Sequence, residues 1–211
     1  MSTRSASIPV RERGFSLVEL LVVIVVIAIL ALWGIPSLLA TLSRTRLVGA
    51  SKEVATMMQV GRLEAIKKGN INGDLQGRVT ALRYIAGERA FEVVLDETTD
   101  ATFNPARVVL GRYILPTGIS LQAPGEASPE GANAIDGWDV PPGGPDEFPG
   151  PIFVSDGSVR VPGAFRLADT RGNFLEVRVD FPATGKVVIQ KYFPADNEWY
   201  ENGEAGKTWE W

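Results

Sequence analysis

Among its 211 residues the chain has no histidine and no cysteine. The absence excludes an imidazole general base, a thiol nucleophile, a Ser-His-Asp arrangement, metal sites built on imidazole or thiolate, and disulfide staples. Without disulfides either redox compartment is compatible, and any folded part must hold together by packing. Catalysis by carboxylates alone would remain, yet no Asp or Glu pair stands in a glycine-framed or otherwise site-like setting. The 22 glycines form no phosphate loop either. The chain therefore reads as one that is not an enzyme and carries no cofactor.

A basic cluster is also missing. The net charge is −4, and its distribution is uneven: residues 1–119 carry 14 Lys and Arg against 10 Asp and Glu, whereas residues 120–211 carry 7 against 15. A nucleic-acid binder presents a basic patch or stripe that replaces phosphate counterions. Here the one local pair, Lys67-Lys68, suits a helix C-terminus, where the helix dipole favours cations. Nucleic acid is not an expected partner.

The third absence is local, and it is the most informative. From residue 20 to residue 43 there is no charge in 24 residues. As a helix this run would extend about 36 Å, at roughly 1.5 Å per residue, enough for a hydrocarbon core of about 30 Å. Glu19 precedes it directly, where an acid is costly by about 2.5 to 3.5 kcal/mol on insertion scales. An ionisable side chain so placed points to a specific partner. Upstream, Arg4, Arg11 and Arg13 outweigh Glu12, so the positive-inside bias places residues 1–14 in the cytoplasm and the C-terminal part across the membrane.

After the apolar run, Leu47, Ala50, Val54, Met57, Gly61 and Ala65 recur at spacings of three and four with charged residues between them. The pattern predicts that the helix continues with one face toward a sheet, until Gly69-Asn70 supplies a stop. Beyond Asn72 the period changes to two. Candidate strands are 78–86, 90–96, 107–115, 152–155, 158–167, 174–181 and 186–193, with hairpin connections at Gly87-Glu88-Arg89 and Ala183-Thr184-Gly185. Residues 116–151, centred on Pro141-Pro142-Gly143-Gly144-Pro145, disfavour both helix and regular strand. Within them Trp138 and Phe148 either pack down on the sheet or face a partner, and Trp199, Trp209 and Trp211 pose the same choice. The acidic residues 196–204 lack the spacing of a known calcium loop, so no metal site is expected.

The stretch Gly14-Phe15-Ser16-Leu17-Val18-Glu19-Leu20-Leu21, followed by Val, Ile, Ala and Leu, resembles the class III signal of type IV prepilins and type II secretion pseudopilins. The resemblance implies that a prepilin peptidase cuts after Gly14 and methylates the new amino terminus on Phe15. It further implies that Glu19 helps dock each subunit into a growing filament and that Pro36 loosens the helix. A glycine at the cut suits close approach of a protease to the backbone. An amine on Phe15 and the Glu19 carboxylate, four residues apart, would each need an opposite charge in lipid, and pairing between subunits would set axial register.

A narrower resemblance lies downstream. Leu63-Glu64-Ala65-Ile66-Lys67-Lys68-Gly69, Leu115-Pro116-Thr117-Gly118-Ile119, Ile152-Phe153-Val154-Ser155-Asp156-Gly157-Ser158, and Val177-Arg178-Val179-Asp180-Phe181 leading to Thr184-Gly185-Lys186-Val187 look like the GspH/FimT domain of minor pseudopilins and minor pilins. The fold implied is α+β, a long N-terminal helix packed on a mainly antiparallel β-sheet domain of type IV pilin-like form. The corresponding organisation is a cleaved leader at 1–14, a transmembrane and filament-core helix at 15–43, an amphipathic continuation at 44–69, and a β-rich periplasmic domain at 70–211 with the insertion 116–151. The calcium loop and terminal Asn-Pro turn of the major pseudopilin are not evident, and Glu19 argues against the tip subunit. The expectation is a minor pseudopilin of a type II secretion system, anchored once in the inner membrane. Its partners would be the prepilin peptidase, other pseudopilin or pilin subunits, and secreted cargo. The alternative is a FimT-like minor pilin of a type IV pilus that binds DNA during uptake.

Overall fold

The helix α1 (Leu17–Lys68) runs for 52 residues without a break. The computed structural model describes residues 15–68, 79–96, 108–138 and 147–210. The leader 1–14 and the expected helix stop at Gly69-Asn70 lie outside them. The described residues fall into two compact units, the first ending at Ala40 and the second beginning at Thr41. In the first, the apolar side chains of α1 are exposed almost throughout, and this stretch is long and apolar enough to cross a membrane.

The second unit opens with the remaining turns of α1. Leu47, Ala50, Val54, Met57, Gly61 and Ala65 are all buried there, as their spacing predicts. Ser51 and Met58 widen the stripe, and the Ser51 hydroxyl donates to the Leu47 carbonyl at 2.9 Å, so its burial leaves no orphan donor. Gly61 lies against the strands: a Cβ added there would sit 3.3 Å from the Phe153 ring. A side chain there would require the Phe153 ring to give way by a few tenths of an ångström.

Two antiparallel sheets follow. The strands β1 (Val79–Ile85), β2 (Ala90–Asp96) and β3 (Val108–Ile114) form one, and the short β6 (Glu147–Phe148) and β7 (Ile152–Phe153) both pair with β1. The expected β1–β2 hairpin closes through a short 3-10 turn at Ala86–Glu88, with Arg89 in the left-handed region at φ 50°. The other sheet has the order β11-β10-β9-β8-β4, where β4 is Ile119–Leu121, β8 Gly163–Asp169, β9 Phe174–Phe181, β10 Lys186–Phe193 and β11 Glu198–Tyr200; β5 (Ile135–Asp136) also pairs with β8. The β9–β10 hairpin turns at Ala183-Thr184-Gly185 as expected.

Three sequence expectations need correction. The strand placed at 158–167 begins only at Gly163, because Pro162 has no N–H to give to a ladder. The strand placed at 152–155 is the two-residue β7, cut off by the Asp156-Gly157 turn in which the Gly157 N–H bonds the Val154 carbonyl. The insertion 116–151, read as hostile to regular strand, contributes β4, β5 and β6. Each is only two or three residues long and exists because a neighbouring strand edge supplies its hydrogen bonds.

The core is bridged by rings. Tyr84 and Phe91 stand 5.0 Å apart on the first sheet, Phe91 meets Phe165 of β8 edge-on at 4.9 Å, and Phe165 meets Trp138 at 4.9 Å. Tilted and edge-on contacts of this kind add to the area each ring buries. They tie the first sheet, the second sheet and the insertion into one hydrophobic cluster with Leu47, Val54 and Met58 of α1.

Candidate functional site

The residues singled out by sequence cluster at the start of α1. Gly14 lies outside the described residues. Phe15 is exposed, and Ser16 caps the helix: its hydroxyl oxygen accepts the Glu19 N–H at 3.2 Å and its carbonyl accepts the Leu20 N–H at 3.2 Å. Glu19 thus occupies the third helical position, where the Ser16 hydroxyl satisfies its otherwise orphan N–H and its acid faces the positive end of the helix dipole. This cap is a feature that sequence reading missed, although the Ser16–Glu19 spacing is its signal.

The Glu19 side chain is exposed and makes no hydrogen bond or ion pair among the described residues. Its neighbours Leu17, Val18, Leu20 and Leu21 are exposed and apolar. Further along, α1 passes through Pro36 without interruption, and the missing imide N–H there removes one bond of the helix ladder. The Ser37 hydroxyl bonds the Gly34 carbonyl at 3.0 Å beside it.

The remaining candidates are committed to the fold. Trp138 packs down: its Nε1–H reaches the Val161 carbonyl at 3.2 Å, and its ring covers Gly163, where a Cβ would lie 2.5 Å from the indole. Trp199 stacks against Tyr192 and beneath Arg166, while Trp209 donates to the Tyr200 carbonyl at 3.2 Å. Trp211 and the side chain of Phe148 lie outside what is described. In the acidic stretch 196–204, Asp196 pairs with Lys207, Asn197 accepts from the Tyr192 hydroxyl at 2.7 Å, and Glu204 accepts the Glu201 N–H at 2.8 Å. Among the described residues no three acidic side chains are placed to hold a metal.

A cleft of about 510 Å³ opens between the end of the β1–β2 hairpin and β4, lined by Tyr84, Arg89, Gln122, Glu130 and Asp169 among others. Its polar groups already have partners. Tyr84 donates to Glu130 at 2.8 Å, and burial followed by that carboxylate pushes the phenol well above its ordinary value. Arg89 donates to the Pro116 and Ile119 carbonyls. Asp169 accepts the Arg171 and Asn173 N–H groups, each at 2.9 Å.

The geometry therefore isolates one unsatisfied feature in the described part of α1's apolar half, the Glu19 carboxylate. A family model described as a prokaryotic N-terminal methylation motif matches residues 10–35. No curated protein and no solved structure matches the chain. The motif, the long apolar helix and the antiparallel sheets behind it fit a pilin-like protein. Such a motif implies processing by a prepilin peptidase and assembly with other pilin-type subunits, and with the apolar helix it points to membrane anchoring.

Proposed function

We propose that this pilin-like chain is a minor pseudopilin, a structural subunit of the periplasmic filament of a type II secretion system, whose work is assembly and not chemistry. In this reading the peptidase removes residues 1–14 and methylates Phe15, residues 15–43 anchor the subunit in the inner membrane and then line the filament core, and the β-rich part faces the periplasm. The carrying observation is Glu19: an acid in the first turn of an apolar helix, capped by Ser16 and without a side-chain partner among the described residues. The α-amine of a neighbouring subunit's Phe15 would supply the missing charge. In lipid such a pair is strongly position-dependent, because removing one partner strands the other.

The downstream GspH/FimT likeness supports a minor subunit over a major one. DNA uptake is the weaker alternative: Arg83, Arg112, Arg166 and Arg178 are each tied to carboxylates, which leaves them little charge to offer phosphates.

Co-expression with a prepilin peptidase tests the reading. Intact mass should show loss of residues 1–14 and gain of one methyl group; a chain that keeps its leader while the enzyme is active sinks it. Glu19→Ala is expected to be cleaved normally and to be absent from sheared filaments, and normal incorporation would remove the role given to the carboxylate.

A further inference from the structure

We infer that the groove between α1 and the β9–β10 turn receives the acidic β10–β11 turn of a second copy of this chain, one level further along the filament. The inference deepens the assembly reading above and rests on it. The groove, about 460 Å³, is lined by Gln59, Arg62 and Leu63 of α1 and by residues 184–187. Arg62 forms one wall: its Nε donates to the Gly157 carbonyl at 2.9 Å, and a Cβ on Gly157 or Gly185, both at positive φ, would lie 3.1 or 3.2 Å from that nitrogen. Glycines at these two turns therefore let the strands close on the guanidinium. Neither Arg62 nor Lys186 has a carboxylate partner among the described residues; of the acids near them in sequence, Glu64 is bound to Lys67 and Asp156 to the Ser158 N–H. Leu63 is 55% exposed and Ile66 43%. Apolar surface edged by two cations in want of an acid is thus left open to a partner.

The complementary charge stands at the other end of the same unit. Residues 194–204 hold Asp196, Glu198, Glu201 and Glu204 and no Lys or Arg, and residues 194–198 are exposed throughout. Asp196 is paired with Lys207, whereas the Glu198 side chain makes no hydrogen bond or ion pair among the described residues. The fold keeps the two ends apart. Ser43 of α1 meets Asp169 where β8 ends, the side to which β10 also runs, and Arg62 meets the β9–β10 turn. Between Ser43 and Arg62 the helix rises about 28 Å, at roughly 1.5 Å per residue. Subunits that enter a filament from one membrane all keep one direction, so contacts between copies are not two-fold and join unlike surfaces. An exposed acidic turn at one end and a cationic groove at the other suit such a contact, and like charges oppose the pairing of two turns or two grooves. In the membrane all copies stand level, so turn and groove meet only after extrusion. Two successive copies are enough for the contact.

The test exploits the lack of cysteine. Gln59→Cys puts a single thiol at an exposed position of the groove, to be labelled with a benzophenone maleimide in sheared filaments and in isolated membranes and then illuminated. Filaments are expected to yield an adduct of twice the chain's mass, cross-linked within residues 194–204 of the second copy, and membranes none. In the labelled chain, Lys186→Glu or Glu198→Lys, each at an exposed residue, should lower the adduct recovered per cell by at least about tenfold, because like charges then face each other. The double variant Lys186→Glu/Glu198→Lys should restore it. An adduct to a different protein assigns the groove to another occupant and overturns the inference. So does an adduct elsewhere in the chain, an equal yield from membranes, or a double variant as weak as the single ones. Intact mass separates the inference from its premise: a chain that loses its leader and enters filaments without the 194–204 adduct fails here alone, and one that keeps its leader and stays out of filaments fails both.

Discussion

At the scale of single residues, the most deeply buried charge among the described residues, Glu176, is paired on both sides. Glu176 is completely buried and accepts from Arg166 Nε at 2.8 Å and Arg178 Nε at 2.6 Å, while Asp136 bridges both guanidiniums. Burial pulls the Arg178 value down, but Glu176, Asp136 and Asp180 more than offset it and the net shift is upward. The other sheet repeats the device with Arg83, Glu92 and Arg112 in cross-strand register. Glu176→Gln removes the central charge of such a network. Loss of about 3 kcal/mol is expected, the lower end for breaking a buried pair, because both arginines keep some contact with water. Thermal unfolding of the full chain in detergent checks this, and a loss no larger than about 0.5 kcal/mol, typical of a surface change, would show that the network contributes little. Only the fold could reveal this pairing, since Arg166 and Glu176 are brought opposite each other by the β8–β9 register.

At the scale of elements, periodicity carried most of the information. The 3.6-residue stripe on α1 is a consequence of which side chains can leave water together, and α1, β2, β9 and β10 stand within a residue or so of where the sequence puts them. Residues 116–151 were not legible in the same way. Their prolines and glycines carry no period, and β4, β5 and β6 borrow their hydrogen bonds from β8 and β1. The described part of the insertion is pinned by side chains instead. Glu126 accepts the Ala123 and Asn133 N–H groups at 2.9 and 2.7 Å, and Trp138 closes over Gly163. Trp138→Ala should cost about 3 to 5 kcal/mol, as for large-to-small changes in a core. It should also open the segment to limited proteolysis; unchanged cleavage within 116–151 would mean that the indole does not hold it.

For the molecule as a whole, one acid joins α1 to the second sheet. Asp169 ends β8, receives the Ser43 hydroxyl at 2.9 Å and organises the β8–β9 turn through Arg171 and Asn173. Burial raises its value, but the hydrogen bonds from Asn173, Ser43 and Arg171 outweigh it, so the carboxyl sits below its ordinary value of 3.8. A depressed acid contributes stability that is complete above the unfolded value and disappears as pH falls through the folded one. The stability that Asp169 contributes should therefore be lost below pH 3.8, and Asp169→Asn should lower stability at neutral pH while flattening that part of the acid limb. An unaltered pH profile in the variant would assign the acid sensitivity to other groups. The sequence alone determined the charge-free helix, its lone Glu19 and the Gly14-Phe15 junction, because the cost of charge in hydrocarbon and the reach of a helix are local properties. Which carboxylates are paired and how the insertion is held were decided only in three dimensions, where register and burial bring together groups that lie far apart along the chain.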